Sequence, residues 1–216
     1  MIRLFYVECQ SSMAVSHVSL MLQTLLVTMM GGMHIHLRVQ FSNGAKRLAR
    51  ILKCNYTSFP DDCSNAIINS GCATLRWLEN LDVPSPGLHD YGLQNDPSND
   101  VSTAYMLIDE LPGIPFLYKE PSDEQFEKVC NQWARILCAF QAHPFEQIGY
   151  LSIESNGDIA VGPIVGDRTG TFLRMGPFCN ARDFYSTFAE KYMEMIWEGQ
   201  LFSAYAVNAY LVFKYL

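Results

Sequence analysis

Between Met33 and Phe41 the chain alternates without a break. Met33, Ile35, Leu37, Val39 and Phe41 point one way, while His34, His36, Arg38 and Gln40 point the other. Period two places one face of a strand in a core and leaves the opposite face polar. Ser42-Asn43-Gly44 follows, and Asn-Gly is a strong hairpin signal because both residues accept positive φ. The return strand is expected over 47–53, with Leu48 and Leu52 flanking Arg50. A further strand is expected over 24–29, just ahead of Gly31-Gly32.

The period then changes. Ile68, Cys72, Leu75, Leu78 and Leu81 recur every three or four residues, which predicts a helix over 65–81 that stops at Asp82-Val83-Pro84-Ser85-Pro86. Gly71 lies inside it, where glycine costs about 1 kcal/mol against alanine. Short strands are expected over 88–93 and 104–109, so that five strands make one antiparallel sheet. The rest reads as mostly helical. Ser122 and Gln125 form a capping box. The helix it opens carries Phe126, Val129, Cys130, Trp133, Ile136, Leu137 and Phe140 on one face. Asn180 is placed to cap a second helix bearing Phe184, Phe188, Tyr192, Met195 and Ile196, which ends near Gly199. A third begins near Ser203 and runs to Leu216. Trp77, Trp133 and Trp197 are assigned to helix packing. The fold class is α+β.

Composition narrows the partners. Hydrophobic residues make up 49% and charged residues 17% of the 216, which is a globular balance. The net charge of -7 and the lack of any basic run argue against nucleic acid as a partner. The 7 cysteines include no C-x-x-C pair, and they read as buried thiols in a reducing compartment, the cytoplasm. Residues 13–30 are apolar but broken by Ser16, His17, Ser19, Gln23, Thr24 and Thr28, whereas a spanning helix needs about 20 predominantly apolar residues. A membrane-attached helical protein is therefore a rival that rests on that segment and on the apolar end of the chain.

Strand, glycine turn, two-stranded hairpin, helix, two strands and then helices is the order of a kinase small lobe. The residues that carry a closer likeness are Gly31-Gly32-Met33-His34-Ile35-His36-Leu37-Arg38, Leu48-Ala49-Arg50-Ile51 and Ala73-Thr74-Leu75-Arg76-Trp77-Leu78 before Val83-Pro84-Ser85-Pro86. Leu107-Ile108-Asp109-Glu110-Leu111-Pro112-Gly113, His143-Pro144-Phe145 before Gly149, and Gly176-Pro177-Phe178 before Phe184-Tyr185 complete the set. In that order they resemble the aminoglycoside phosphotransferase-like kinases of fungal type, from Gly31 onward.

The resemblance implies a protein-kinase-like fold: an N-terminal extension over 1–23, a five-stranded small lobe and hinge over 24–113, and the helical start of a large lobe over 114–216. It implies ATP and Mg2+ as cofactors and a small-molecule hydroxyl as acceptor. Gly31 and Gly32 would approach the nucleotide phosphates through their backbone, and Arg50 would contact those phosphates from the third strand. Ile108 would back the adenine pocket. The Asp109 carbonyl and the Leu111 N–H would hydrogen-bond adenine.

Two departures stand against activity. Where the family has a helix glutamate to orient the basic residue, this chain has Ser70-Gly71-Cys72. The family's His-Gly-Asp catalytic loop and later metal aspartate have no counterpart, and on this alignment the last helix is where the chain stops. These residues are therefore expected to carry no catalytic group, no metal ligand and no transfer of their own. A non-catalytic nucleotide-binding or interaction module is the rival reading. His34 and His36 lack further ligands of zinc type and read as exposed strand residues. His143 reads as a helix-end residue on the last carbonyls. Residues 180–216, with wide apolar helix faces, are expected to be the least stable part and to promote self-association.

Overall fold

In the computed structural model, residues 18–19, 34–41, 43–52, 61–101, 103–113, 116, 120–165 and 174–215 are described. Gly31, Gly32 and the strand expected over 24–29 lie outside them. The described residues form an α+β chain with two antiparallel sheets and four α-helices. They divide into two units, 1–144 and 145–216.

The first unit is built on the expected hairpin. Strand β2 (His34–Phe41) pairs antiparallel with β3 (Lys46–Leu52), with His36 opposite Arg50 and Val39 opposite Arg47. Gly44 takes φ +84°, and Asn43 Oδ1 accepts from the Ala45 N–H at 2.9 Å, so the turn closes for the reason the sequence predicts. On the outer edge β2 is joined by β1 (Val18–Ser19), a two-residue strand pairing Val18 with Phe41. The part of the chain read as an extension thus contributes to the sheet.

Helix α1 (Asp61–Leu78) begins four residues before its expected start and ends three short of its expected end. Strands β4 (Leu88–Gly92) and β5 (Tyr105–Asp109) follow, and the sheet order is β1-β2-β3-β5-β4. The crossover therefore brings β5 back beside β3, with Arg50 opposite Met106 and Leu48 opposite Ile108. Tyr105, Met106, Leu107 and Ile108 are all buried, which is why this strand reads as an unbroken apolar run. One face packs Val39, Tyr105 and Leu107 with Phe41, Ala49, Ile51 and Val101. The other meets α1. A Cβ on Gly71 would lie 2.7 Å from Met106 Cε, so the glycine that weakens the helix lets it lie close to the sheet. Ile68, Cys72 and Ala73 are fully buried on the inner side of α1. Burial pushes the Cys72 thiol up to about 12. Asn65 ties the helix to the loop after β4, donating to the Gln94 carbonyl at 3.0 Å and accepting from the Gln94 N–H at 2.6 Å.

Helix α2 (Asp123–Gln141) opens with the expected capping box, Ser122 and Gln125 each accepting from the other's backbone N–H. His143 Nδ1 sits 2.9 Å from the Ala139 carbonyl, as a helix-end residue should. Its apolar face is a correction to the packing expected of it. Phe140 stacks on Trp77 at 6.0 Å, but Phe126, Trp133 and Leu137 are more than half exposed.

The second unit contains two strands in a region expected to be mostly helical and to hold no strand. β6 (Tyr150–Ile153) and β7 (Ile159–Gly162) form a hairpin whose turn places Gly157 at φ +86°. Isolated bridges join Ile148 to Phe178 and Ile164 to Met175. Helix α3 (Ala181–Trp197) is capped by Asn180, whose Oδ1 accepts from the Asp183 N–H at 2.9 Å, and Gly199 ends it at φ +73°. A 3-10 turn (Ser203–Tyr205) leads into α4 (Ala206–Lys214). Phe213 of α4 lies 4.8 Å from the Tyr192 ring and 6.5 Å from Phe188, and Tyr192, Met195 and Ile196 are buried. The two helices therefore cover part of each other, while Val207, Leu211 and Val212 of α4 stay exposed, as do Phe126, Trp133 and Leu137 of α2. Trp197 is 85% exposed, so it packs no helix. Cys63 and Cys72 are buried, but Cys130, Cys138 and Cys179 are exposed, against the expectation of buried thiols.

Candidate functional site

Of the residues singled out by sequence, Arg50, Ile108, Asp109 and Leu111 are described, and they lie on or just beyond the paired strands β3 and β5. Arg50 is half-buried on the face that also carries His36 and Met106, since directly opposed residues of antiparallel strands share a face. Its Nη2 lies 3.3 Å from His34 Nδ1, and among the described residues nothing accepts from its buried Nε. Burial lowers its pKa, which reports how poorly the charge is solvated. The described ion pairs join Arg38 to Glu110, Arg47 to Asp109, His89 to Asp109 and Lys191 to Glu194, and none includes Arg50.

His34 is not the exposed strand histidine the sequence suggested. It is half-buried, with its ring 6.3 Å from that of His36. Burial first, then the charges of Arg50 and His36, push its pKa down to about 4. It is a neutral imidazole at physiological pH, and a neutral Nδ1 accepts from a guanidinium.

The segment that leaves β5 is held by two successive acids. Asp109 accepts from the Gly87 N–H at 3.0 Å, lies 2.8 Å from His89 Nε2 and pairs with Arg47 at 3.1 Å. Glu110, on the opposite face, pairs with Arg38 of β2 at 2.5 Å. Neighbouring side chains of an extended segment point to opposite faces, so the two carboxylates fasten the end of β5 to three strands. Ile108 is buried beneath it, and Leu111, two residues past the strand, is 58% exposed. Gly113 follows at φ +125°, a conformation that glycine tolerates best.

The hydrogen bond from His89, reinforced by the Gly87 N–H and the charges of His89 and Arg47, holds the Asp109 carboxyl below its ordinary range. A depressed carboxyl stabilises the fold above its unfolded pKa and loses that contribution as pH falls through the folded value. Asp109→Asn is expected to lower stability by about 1 kcal/mol at neutral pH, the scale of a part-exposed network. Urea midpoints should show the gap to wild type closing between about pH 4 and pH 2. A gap constant down to pH 2 would show that the charge of Asp109 is not what holds the end of β5.

Among the described residues no three His, Cys, Asp or Glu side chains gather as a metal-ligand set. No helix among them is long and apolar enough to cross a membrane. The structure brings Arg50, Ile108 and Asp109 onto adjacent strands, with Leu111 just beyond. What the sequence missed is His34 as a partner of Arg50. The signal was present, because His34 and His36 share the strand face that faces Arg50 in the hairpin register. Neither a protein-family model nor a curated protein matches this chain.

Proposed function

We propose that residues 24–113 form the nucleotide-binding small lobe and hinge of a kinase-like phosphotransferase of the aminoglycoside phosphotransferase type, acting in the cytoplasm. The observation that carries this reading is Arg50, a half-buried guanidinium with an unmatched Nε and no carboxylate partner among the described residues. An arginine so placed calls for an anion, because a buried donor left unpaired costs about 1–3 kcal/mol. The element order supports it too: three strands, a helix, then β4 and β5 with β5 paired to the strand that carries Arg50. Arg50 would hold a phosphate group, Ile108 would close the back of the adenine pocket, and the Asp109 carbonyl and Leu111 N–H would pair with the base. ATP, when bound, supplies the phosphoryl group, and Mg2+ shields its charge. No described residue is assigned to Mg2+.

The sequence contains no His-Gly-Asp. Nucleotide binding is therefore the activity proposed for these residues, and transfer to a small-molecule hydroxyl is not. A rival reading, an interaction module without a nucleotide, draws on the exposed apolar stripe of α2.

Titration with a fluorescent adenine nucleotide separates the two. Saturable binding is expected, weakened about tenfold or more by Arg50→Ala, on the scale of a lost charge-assisted hydrogen bond. Leu111→Pro should remove the base contact by deleting its N–H, while Leu111→Ala should leave affinity unchanged. Binding that ignores both Arg50 and the N–H of residue 111 would refute the assignment.

A further inference from the structure

We infer that His34 is the positioning residue for Arg50, a neutral acceptor that orients the guanidinium without cancelling its charge, so that the pair binds a phosphate group in the absence of metal. The inference rests on the nucleotide reading above and adds to it the way the anion is held.

The geometry is a strand-to-strand pair. His34 and Arg50 lie diagonally across the β2–β3 hairpin, since His36 is the residue directly opposite Arg50. The distance from Arg50 Nη2 to His34 Nδ1 is 3.3 Å, within reach of a hydrogen bond. The helix lying against this face has Gly71 next to Met106, and Met106 is the β5 residue opposite Arg50. Gly71 has no side chain, so position 71 of α1 offers the arginine no carboxylate. The hydrogen bond to His34 fixes one end of the guanidinium, and among the described residues its Nε has no acceptor.

The choice of a neutral partner has a chemical consequence. An arginine paired with a carboxylate presents a dipole whose charge is already matched, and an incoming phosphate meets the partner's repulsion. An arginine held by an imidazole keeps its full positive charge and three or more free N–H donors. Charge-assisted hydrogen bonds of guanidinium to phosphate are strong and directional, and they need no metal when the receiving group is itself unneutralised. Burial and the neighbouring Arg50 charge hold His34 neutral, which keeps Nδ1 available as an acceptor.

The test uses the full chain in EDTA, titrated with inorganic pyrophosphate and separately with ADP. Asn and Asp both place an oxygen near the position of the histidine Nδ1, so His34→Asn, His34→Asp and His34→Leu form a graded set. His34→Asn should bind pyrophosphate within about threefold of wild type, because it restores a neutral acceptor. His34→Asp should weaken binding tenfold or more while leaving the fold intact by circular dichroism, because its charge neutralises Arg50. His34→Leu should weaken it about tenfold through lost orientation. A purely structural role for His34 would make Asp at least as good as Asn, and that result would overturn the inference. So would wild-type affinity in the Leu variant. ADP binding that depends on the N–H of residue 111 but not on His34 would sink the inference and spare the nucleotide reading. Failure of wild type to bind either ligand would sink both.

Discussion

Replacing Gly149 by alanine is expected to break the β6–β7 hairpin while the sheet of the first unit stays intact. A Cβ at this position would fall inside the van der Waals envelope of the Gly162 carbonyl oxygen, with Val161 Cγ1 at 2.8 Å and Pro177 Cβ at 3.3 Å. The main obstacle is backbone, which cannot swing aside as a side chain can. Overpacking of this kind costs about 3 kcal/mol, and more when the obstructing atom belongs to a hydrogen-bonded strand. Loss of the Gly149 position also strains the adjoining bridge from Ile148 to Phe178, where the two N–H···O bonds measure 2.8 and 2.9 Å. Gly157→Ala is the control. Gly157 has φ +86° and nothing within 4 Å of the added carbon, so the cost there is conformational, about 1 kcal/mol. Amide exchange across residues 150–162 would report both. Equal protection in Gly149→Ala and wild type would mean that the strands approach less closely than described.

The second large effect belongs to α1. Ile68 has no solvent exposure, and truncation of such a residue to alanine costs about 3 kcal/mol, combining lost burial with a cavity that the helix cannot close. Ile68→Val should cost about 1 kcal/mol. Because Ile68 and Cys72 lie one turn apart and Gly71 abuts Met106, the loss should loosen the helix against β5. Denaturation followed by Trp77, which stacks on Phe140, gives the measurement. A midpoint shift below that of Ile68→Val would place Ile68 outside the core.

Local signals in the sequence served well wherever the physics was local. The strand signal, seen over 34–41, the turn at Asn43-Gly44, the Ser122 capping box, the Asn180 cap and the Gly199 stop all act within a few residues of chain, and each appears in the structure. The hairpin over 150–162 carries the same Asn-Gly signal at Asn156-Gly157, between Ile153 and Ile159, but its strands are four residues each and the helical periodicity on either side outweighs them. Which strands become neighbours was legible only through element order, since nothing near Arg47 announces that it will face Asp109. Exposure was the least legible property. An apolar stripe such as Phe126, Trp133 and Leu137 shows that one face is hydrophobic but not that anything covers it. His34 is the counterpart case, a polar residue that reads as exposed until a neighbouring strand and an arginine half-bury it.

The buried thiol of Cys72 gives the first unit a chemical clock. Alkylating reagents attack the thiolate, and a group pushed up to about 12 on a fully buried side chain offers almost none at neutral pH. Cys130, Cys138 and Cys179 stand in the open and are consumed at the speed of the reagent. Cys72 can be consumed only when α1 lifts away from the sheet, so the rate at which it disappears equals the rate at which that contact opens once the reagent outpaces reclosing. The same helix that lies against the face carrying Arg50 thus carries its own reporter of how often that face is uncovered.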